Sequence, residues 1–263
     1  MCAMDDSLRK VAINLRNRFG LFVQYANAGV RSLSAWTHSW QKAVQWGHRY
    51  PPEHFDHYID LHYQLPKLRS SFPFERGVWA SFAIGPHTKR VLDLGCGDGF
   101  FPRHFLSLRV DEIVAVDFDA TAISHARRFN SAPNINYLLA DIRHSFPVGR
   151  FDLVTWDAAI EHFTEKEIRD IMTNIKAVLS PEGVIAGYSI KKDDHAGGPL
   201  HHLHEYEFES KEDLARFFTP WFQNVQVFET NFPARTNYYF FASDAALPFD
   251  SGQSLLIRQQ HSG

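Results

Sequence analysis

The segment from Val91 to Phe100, VLDLGCGDGF, constrains the fold of this chain more than any other feature. Its first half has the apolar composition of a buried strand, and its second half places glycines at positions 95, 97 and 99. Glycine accepts positive φ and leaves no Cβ between the backbone and a ligand, and a helix that begins near Gly99 directs free N–H groups towards that ligand. The segment therefore predicts the first strand, turn and helix of a nucleotide-binding βαβ unit.

Acidic residues at the ends of successive predicted strands restrict the ligand further. Asp93 lies two residues before the first glycine, where a carboxylate repels a pyrophosphate but suits an ammonium group. Asp117 follows the strand 113–116, about 20 residues after the glycines, and an acid there accepts hydrogen bonds from both ribose hydroxyls. Asp141 and Ile142 follow the next predicted strand and offer an acceptor for an adenine amine beside an apolar wall. This order fits a nucleoside that carries an amino group.

Five segments of the chain carry a common pattern: VLDLGCGDG (91–99), VAVDFD (114–119), LLADI (138–142), FDLVTWDAAIEHF (151–163) and LSPEGVIAGYSI (179–190). In this order they resemble the class I S-adenosylmethionine-dependent methyltransferases, over roughly residues 88 to 243. The resemblance implies an α/β fold in which a Rossmann-like, seven-stranded and mostly parallel sheet has helices on both faces. It also implies S-adenosyl-L-methionine as the cofactor.

The resemblance further implies where each part of the cofactor binds. Asp93, Gly95 and Gly97 lie at the methionine end, Asp117 lies at the ribose, and the adenine lies against Asp141 and Ile142. Four more residues complete the predicted cofactor-binding set: Arg76, Cys96, Phe118 and Asp157. Arg76 is expected to pair with the methionine carboxylate, and an ordinary surface arginine is the alternative.

The pattern divides the chain into four predicted parts. They are an N-terminal amphipathic helical extension (1–50), a lid over the cofactor (51–87), the methyltransferase domain (88–245) and a C-terminal tail (246–263). Within the domain, apolar spacing predicts helices near 101–108, 120–130, 164–179 and 210–218, a turn at 180–183, and strands at 184–190, 225–229 and 238–242. In the resembling family the last two strands form an antiparallel pair at one edge of the sheet.

The N-terminal extension has its own pattern. Apolar residues from Leu8 to Ala26 follow one stripe of a predicted helix, which Asp6 or Ser7 could cap. The segment 27–29 is expected to end this helix. A second apolar stripe follows from residue 33 to 44. Two partners fit the stripe. One is this protein itself, either its own domain or a second copy in a homo-oligomer, and the other is an anionic membrane surface touched by residues 5–27.

Methyl transfer requires a nucleophile held in line with the methyl carbon, and a hydroxyl nucleophile also needs a general base or a metal. Glu161 and His162 follow the predicted fourth strand, and a long loop from Lys191 to Phe208 holds four histidines: His195, His201, His202 and His204. Loops of this length at the active edge are usually functional. We therefore interpret Glu161, His162 and His204 as catalytic and predict that His201, His202, Tyr58 and His62 bind the acceptor.

The role of the histidines has three alternatives, which are a general base, a divalent-metal site and a purely structural or acceptor-binding role. The metal account depends on a local similarity to the small-RNA 2′-O-methyltransferases at Glu161-His162 and at 204–208. That family uses two acids and two histidines, and its first acid falls at Ala158 here. Asp157 is one residue away. Because one ligand is missing, we expect no metal.

Composition bounds the function. Residues 1–49 carry a net charge of +5 within a chain of −3, so the remainder carries −8, and a negative catalytic domain argues against a nucleic-acid partner. Two cysteines and no apparent signal peptide favour a reducing, cytoplasmic setting, with the inner membrane surface as the peripheral option.

We predict methyl transfer to a small polar acceptor, most simply a hydroxyl of a sugar, glycan precursor or other metabolite. The alternatives are a metal-assisted 2′-O-methyltransferase acting on RNA and a non-catalytic scaffold of the same fold.

Overall fold

A long helix and a seven-stranded sheet make up the described part of the chain. The computed structural model describes residues 6–46, 57, 71–192, 204–232 and 235–247. These fall into two compact units, which are the N-terminal helix and a sheet domain that includes His57. Within this part of the chain, no helix is long and apolar enough to cross a membrane.

Helix α1 runs without interruption from Asp6 to Trp46, so the predicted end of the helix at 27–29 is wrong. The reason is the position of these residues around the helix. At 100° per residue, Asn27 and Ala28 lie off the apolar stripe, Gly29 lies on it at the same angle as Val11, and the spacing of the stripe continues through Ala26 and Val30. A single interior glycine costs only about 1 kcal/mol relative to alanine, which does not end a helix that is favourable on both sides.

The sheet has the order β3-β2-β1-β4-β5-β7-β6. Its strands are β1 (Arg90–Leu94), β2 (Glu112–Asp117), β3 (Ile135–Leu139), β4 (Phe151–Asp157), β5 (Leu179–Ile190), β6 (Asn224–Phe232) and β7 (Arg235–Ser243). The first five strands are mutually parallel, and β7 pairs antiparallel with both β5 and β6. The predicted seven-stranded sheet with an antiparallel pair at one edge is confirmed.

Helices cover both faces of this sheet. They are α2 (Phe72–Phe82), a π-helix (Pro102–Leu106), α3 (Ala120–Phe129), a 3₁₀ turn (Ile160–His162), α4 (Glu165–Val178) and α5 (Lys211–Ala215). Alternate strand residues face opposite cores: Leu92 packs in the core formed with α4 and α5, and Val91 packs in the core formed with α3 and the residues after α2. Strands covered on both faces in this way have the near-continuous apolar sequence that parallel sheets require.

Two local predictions need correction. The turn expected at 180–183 lies inside β5, where the pairing with β4 shifts between Phe151 opposite Leu179 and Leu153 opposite Val184. The Ser-Pro-Glu-Gly sequence is therefore accommodated as an irregularity within one strand. The helix predicted over 210–218 is regular only from Lys211 to Ala215 and continues as turns.

Part of the predicted lid is a fixed element of the domain. Helix α2 packs on the sheet through Trp79, whose ring stacks on Phe228 and Tyr239 with centroids 4.9 and 5.2 Å apart. The residues that follow α2, Ala83 and Ile84, are buried. Helix α2 and the two residues after it are thus packed on the sheet domain, and of the segment 51–70 the structure describes only His57.

Candidate active site

The glycine loop joins β1 to the following helical turn and is held by the end of β2. The amides of Gly95 and Cys96 donate to the carbonyl of Val116 at 2.9 and 3.0 Å. Gly97 has φ +54°, a region that favours glycine, and a Cβ built there meets no atom within 4 Å. The space beside Gly97 is therefore open on the face that the resemblance assigns to the cofactor. The Cys96 side chain is buried in the core, so only its backbone faces the loop.

Asp93 lies at the end of β1 and is almost fully buried. Its Oδ1 accepts a hydrogen bond from the Thr155 hydroxyl at 2.6 Å. The pKa of Asp93 is raised to about 7, because burial and the neighbouring carboxylate of Asp157 outweigh the hydrogen bond from Thr155 and the positive charge of Arg76, which lower it. A buried carboxyl of this kind gains most when a cation arrives, which fits the ammonium group expected there.

Asp117 is the last residue of β2 and Asp141 follows β3, at the same edge of the sheet. The carboxylate of Asp117 accepts from the amides of Gly97 at 2.8 Å and Asp119 at 2.9 Å, so the loop fixes its orientation. Both oxygens of Asp141 accept from the guanidinium of Arg143, and this pair lowers the pKa of Asp141. The expected adenine contact therefore requires Asp141 to share its carboxylate with Arg143. Beside them, Phe118 is exposed and Ile142 is buried.

Arg76 and Asp157 form a buried ion pair, which the sequence did not predict. The Nε and Nη2 atoms of Arg76 donate to Oδ2 of Asp157 at 2.8 and 2.5 Å. The guanidinium also lies over the rings of Phe101 and Tyr188, 4.1 and 4.9 Å from their centroids. Burial works to lower the pKa of Arg76, but Asp157 raises it above its usual value. The surface-arginine alternative is wrong, because Arg76 is only 9% exposed.

Three of the predicted catalytic residues come together after β4. One ligand atom each from Glu161, His162 and His204 lie within 4.8 Å of one another, and the two histidine rings meet edge to face at 5.3 Å. Glu161 is buried, and one of its oxygens accepts from the Ser189 hydroxyl at 3.1 Å. Its carbonyl accepts from the amides of residues 205 and 206, which ties the end of the long loop to the 3₁₀ turn.

This cluster borders the glycine loop. A Cβ built on Gly95 would lie 2.8 Å from Cβ of Ala159, two residues before Glu161. Directly before Ala159, Ala158 takes φ +54°, unusual for a residue other than glycine, and its amide donates to the carbonyl of Tyr188 at 2.8 Å. The backbone after β4 is thus bent so that the histidine cluster follows closely on the residues assigned to the cofactor.

The three residues are a possible metal site by geometry, and they are one acid short of the set that the small-RNA 2′-O-methyltransferases use. Within the described residues, the cluster offers one carboxylate and two imidazoles. Ala158 has no ligand atom, and Asp157 is already bonded to Arg76. One oxygen of Glu161 is also engaged by Ser189. The prediction that no metal binds remains a prediction, and one carboxylate with two imidazoles offers few of the oxygen ligands that Mg²⁺ takes.

Sequence reasoning missed the pair His57 and Asp98. Asp98 is fully buried, and its oxygens accept from the His57 amide at 2.9 Å and bond to the His57 ring at 2.8 Å. Burial would raise the pKa of Asp98, but the interactions with His57 lower it below its usual value. The His57 ring also lies against Phe100 and Phe101. A contact over 41 residues of sequence leaves no local signal, although an acid inside the glycine loop could have suggested a partner.

Four predicted acceptor-binding residues lie outside the described residues: Tyr58, His62, His201 and His202. The same holds for His195 of the long loop.

A comparison with protein families identifies the domain. Residues 91–183 match the family model described as a methyltransferase domain. This part of the chain is a methyltransferase domain. The match contains the glycine loop, the acids that follow β2, β3 and β4, and the Glu161-His162 pair, so it includes most of the candidate site. No curated protein is significantly similar in sequence to the chain.

Solved structures confirm the class I methyltransferase fold. The N-methyltransferase NodS from Bradyrhizobium japonicum WM9, in complex with S-adenosyl-L-homocysteine, is 16% identical with a TM-score of 0.54, covering 68% of this chain and 89% of that one. The DhpI–SAH complex is 17% identical with a TM-score of 0.54, covering 76% and 96%. An O-methyltransferase family protein from Burkholderia thailandensis is 16% identical with a TM-score of 0.52, covering 81% and 72%.

At these identities the likeness shows the fold alone. Several of the neighbours were solved with S-adenosylhomocysteine or with S-adenosylmethionine, which agrees with the predicted cofactor. Because they include both an N-methyltransferase and an O-methyltransferase family protein, they do not distinguish the acceptor atom.

Proposed function

We propose that the methyltransferase domain binds S-adenosylmethionine along the carboxyl ends of its first four strands and transfers the methyl group to a hydroxyl of a small polar acceptor. The favoured class is a sugar, a glycan precursor or another metabolite. The observation that supports transfer to a hydroxyl is the cluster of Glu161, His162 and His204 beside the glycine loop. Imidazole is the side chain best suited to accept a proton near neutral pH.

The buried acids give the cofactor end of the site its selectivity. Asp93 is a carboxyl whose burial disfavours its ionised form, so a positively charged ligand group beside it is favourable. Asp117 is held by the loop amides with lone pairs left for two hydroxyls. The Arg76–Asp157 pair borders this end and leaves a cation next to the position proposed for the methionine carboxylate. Together these residues match a zwitterionic nucleoside better than a dinucleotide.

The acceptor end then supplies the base. When bound, the cofactor provides an electrophilic methyl carbon on a sulfonium. The acceptor oxygen forms a bond to this carbon as the carbon–sulfur bond breaks, and the hydroxyl proton passes to a histidine ring nitrogen. Glu161 orients this group of side chains, because its carboxylate is anchored by Ser189 and its carbonyl holds the loop at residues 205 and 206.

An acceptor screen with methyl-labelled cofactor tests this proposal. Alcohols, sugars, phenols, amines and an RNA 3′ end are offered in parallel, and label is expected in a hydroxyl of a small molecule. With the acceptor found, His162→Ala or His204→Ala should slow single-turnover transfer by about 10² to 10⁴, the usual contribution of a general base. Thr173→Ala, on the exposed face of α4, is the control. Label only in amines or RNA, or no binding of S-adenosylhomocysteine in calorimetry, overturns the proposal.

The same cluster supports a second candidate, in which a divalent ion rather than a histidine activates the hydroxyl. Its ligand atoms already lie within 4.8 Å of one another. Activity should then disappear on dialysis against EDTA and return with Mg²⁺, Mn²⁺ or Co²⁺, and Glu161→Gln should reproduce the loss at unchanged cofactor affinity. We expect full activity in EDTA, because the donor set is one acid short. Elemental analysis showing about one metal per chain would contradict this.

A further inference from the structure

Helix α1 exposes a long apolar stripe. From Leu8 to Val44 the stripe advances 36 residues in ten steps of three or four, an average of 3.6 residues per step. Its large side chains are 60% to 67% exposed at Leu8, Leu15, Phe19, Phe22, Leu33 and Trp40. Large apolar surfaces of this kind on a protein mark a site of interaction.

The period of the stripe indicates the shape of its partner. From Leu8 to Val30 the steps are 3, 4, 4, 3, 4 and 4, whereas a heptad repeat alternates 3 and 4. A period of 3.5 winds two helices into a left-handed supercoil, but a period of 3.6 keeps the stripe on one side of a straight helix. The stripe therefore does not fit a left-handed heptad coiled coil, and the charge of the helix decides between a flat surface and a second copy in the right-handed pairing that an 11-residue repeat allows.

The charge of the helix indicates the chemistry of that surface. Residues 6–46 contain six basic residues, Arg9, Lys10, Arg16, Arg18, Arg31 and Lys42, and the single acid Asp6, which gives a net charge of +5. Since the whole chain carries −3, the rest of it carries −8. Pairing two such helices would bring like charges together. A surface of anionic lipid headgroups attracts them instead.

We propose that α1 lies in the plane of an anionic lipid bilayer. Its apolar stripe enters the boundary between headgroups and acyl chains, and its basic residues face the lipid phosphates. Trp36 and Trp40, both 60% exposed with ring centroids 6.1 Å apart, belong to the residue type that favours this interface. The helix carries no catalytic residue, so this interaction surface is independent of the function proposed above.

Flotation of the full-length protein with unilamellar vesicles tests the proposal. Vesicles of phosphatidylcholine with 30% phosphatidylglycerol are compared with vesicles of phosphatidylcholine alone, at about 0.1 M and about 0.5 M NaCl, conditions that change the screening length about two-fold. The bound fraction should be at least ten-fold higher on the anionic vesicles and should fall at high salt. Circular dichroism and binding of S-adenosylhomocysteine check that each protein is folded.

Two double variants separate the stripe from the rest of the helix. Phe19→Gln with Phe22→Gln removes two exposed rings from the stripe, and binding should fall at least ten-fold. Asn17→Ala with Gln24→Ala changes the opposite face at the same charge and should bind as the wild type does. Failure of the wild type to float with anionic vesicles overturns the proposal, as does equal binding to both vesicle types. A dimer in ultracentrifugation that the Phe19/Phe22 variant dissolves, without vesicle binding, would show instead that the stripe joins two copies.

Discussion

Replacing Asp93 by asparagine should make the ligand-free protein more stable while removing its affinity for the cofactor. Burial raises the pKa of Asp93 to about 7 in the folded state, against 3.8 for a solvated aspartate. Between these two values the folded state binds more protons than the unfolded state, so the free energy of unfolding falls as the pH rises from about 4 to about 7. Above pH 7 the loss is complete, and a shift of roughly three pKa units corresponds to about 4 kcal/mol.

Asparagine keeps the size of the side chain and an acceptor for the Thr155 hydroxyl, but it does not ionise. The variant should therefore exceed the wild type in the free energy of unfolding by up to about 4 kcal/mol at pH 8, with the difference growing by about 1.4 kcal/mol per pH unit between pH 5 and 7. Urea unfolding at half-unit steps of pH measures this difference directly. Calorimetry at pH 8 should show no binding of S-adenosylhomocysteine, because its ammonium group has lost its partner.

The variant Asp111→Asn, which removes an exposed carboxylate from the same domain, is the control. It should show neither the stabilisation nor the loss of binding. A stability difference between Asp93→Asn and the wild type that stays constant from pH 5 to pH 8 would refute the reasoning, since Asp93 would then ionise without cost.

Three further predictions concern the neighbours of this residue. Gly97→Arg should abolish binding of S-adenosylhomocysteine in calorimetry, because the arginine side chain enters the open space beside the loop. Circular dichroism should show that the fold is intact. Unchanged affinity would disprove the site assignment. Arg76→Met should lower the free energy of unfolding by about 3 to 5 kcal/mol, since it leaves Asp157 buried without its cation. In urea unfolding, adding Asp157→Asn should recover most of this loss. Equal instability of the single and double variants would show that the pair is not coupled. Cofactor should protect the segment 51–70 from limited proteolysis. His57→Ala should raise the cleavage rate of this segment, because the contact of the His57 ring with Asp98 of the glycine loop is lost. Identical rates for wild type and variant, each with and without cofactor, would mean that the segment responds to neither the ligand nor this contact.

The sequence predicts the sheet well because its determinants are local. The glycine loop, the acid after each strand and the apolar runs each reflect one element and its direct neighbours, and the observed strand order agrees with them. Asp93, Asp117 and Glu161 all lie at the carboxyl edge of the sheet, as the pattern requires. These predictions depend on which residues follow a strand, and the parallel topology then brings them to one edge.

The errors arise where the outcome depends on distant partners or on geometry around a helix. The helix end predicted at 27–29 depends on local composition, although the apolar stripe continues on both sides of this segment. The partners of Arg76 and Asp98 lie 81 and 41 residues away in sequence, so no local pattern indicated that both are buried and bonded. The four-residue irregularity after Leu179 depends on its register with β4, which turn composition alone does not reveal.

The position of β7 has a consequence for how the protein is made. This strand is the last of the sheet in the chain, yet it lies between β5 and β6 and pairs with both. Until the ribosome has delivered Ser243, β5 keeps an open apolar edge and β6 has no strand to join. From the completion of β5 at Ile190 until β7 is complete at Ser243, the nascent domain therefore exposes a strand edge of the kind that promotes wrong pairing between chains. Closure of the sheet is thus a late, single event, and chains released before that strand is complete should be recognised as unfolded.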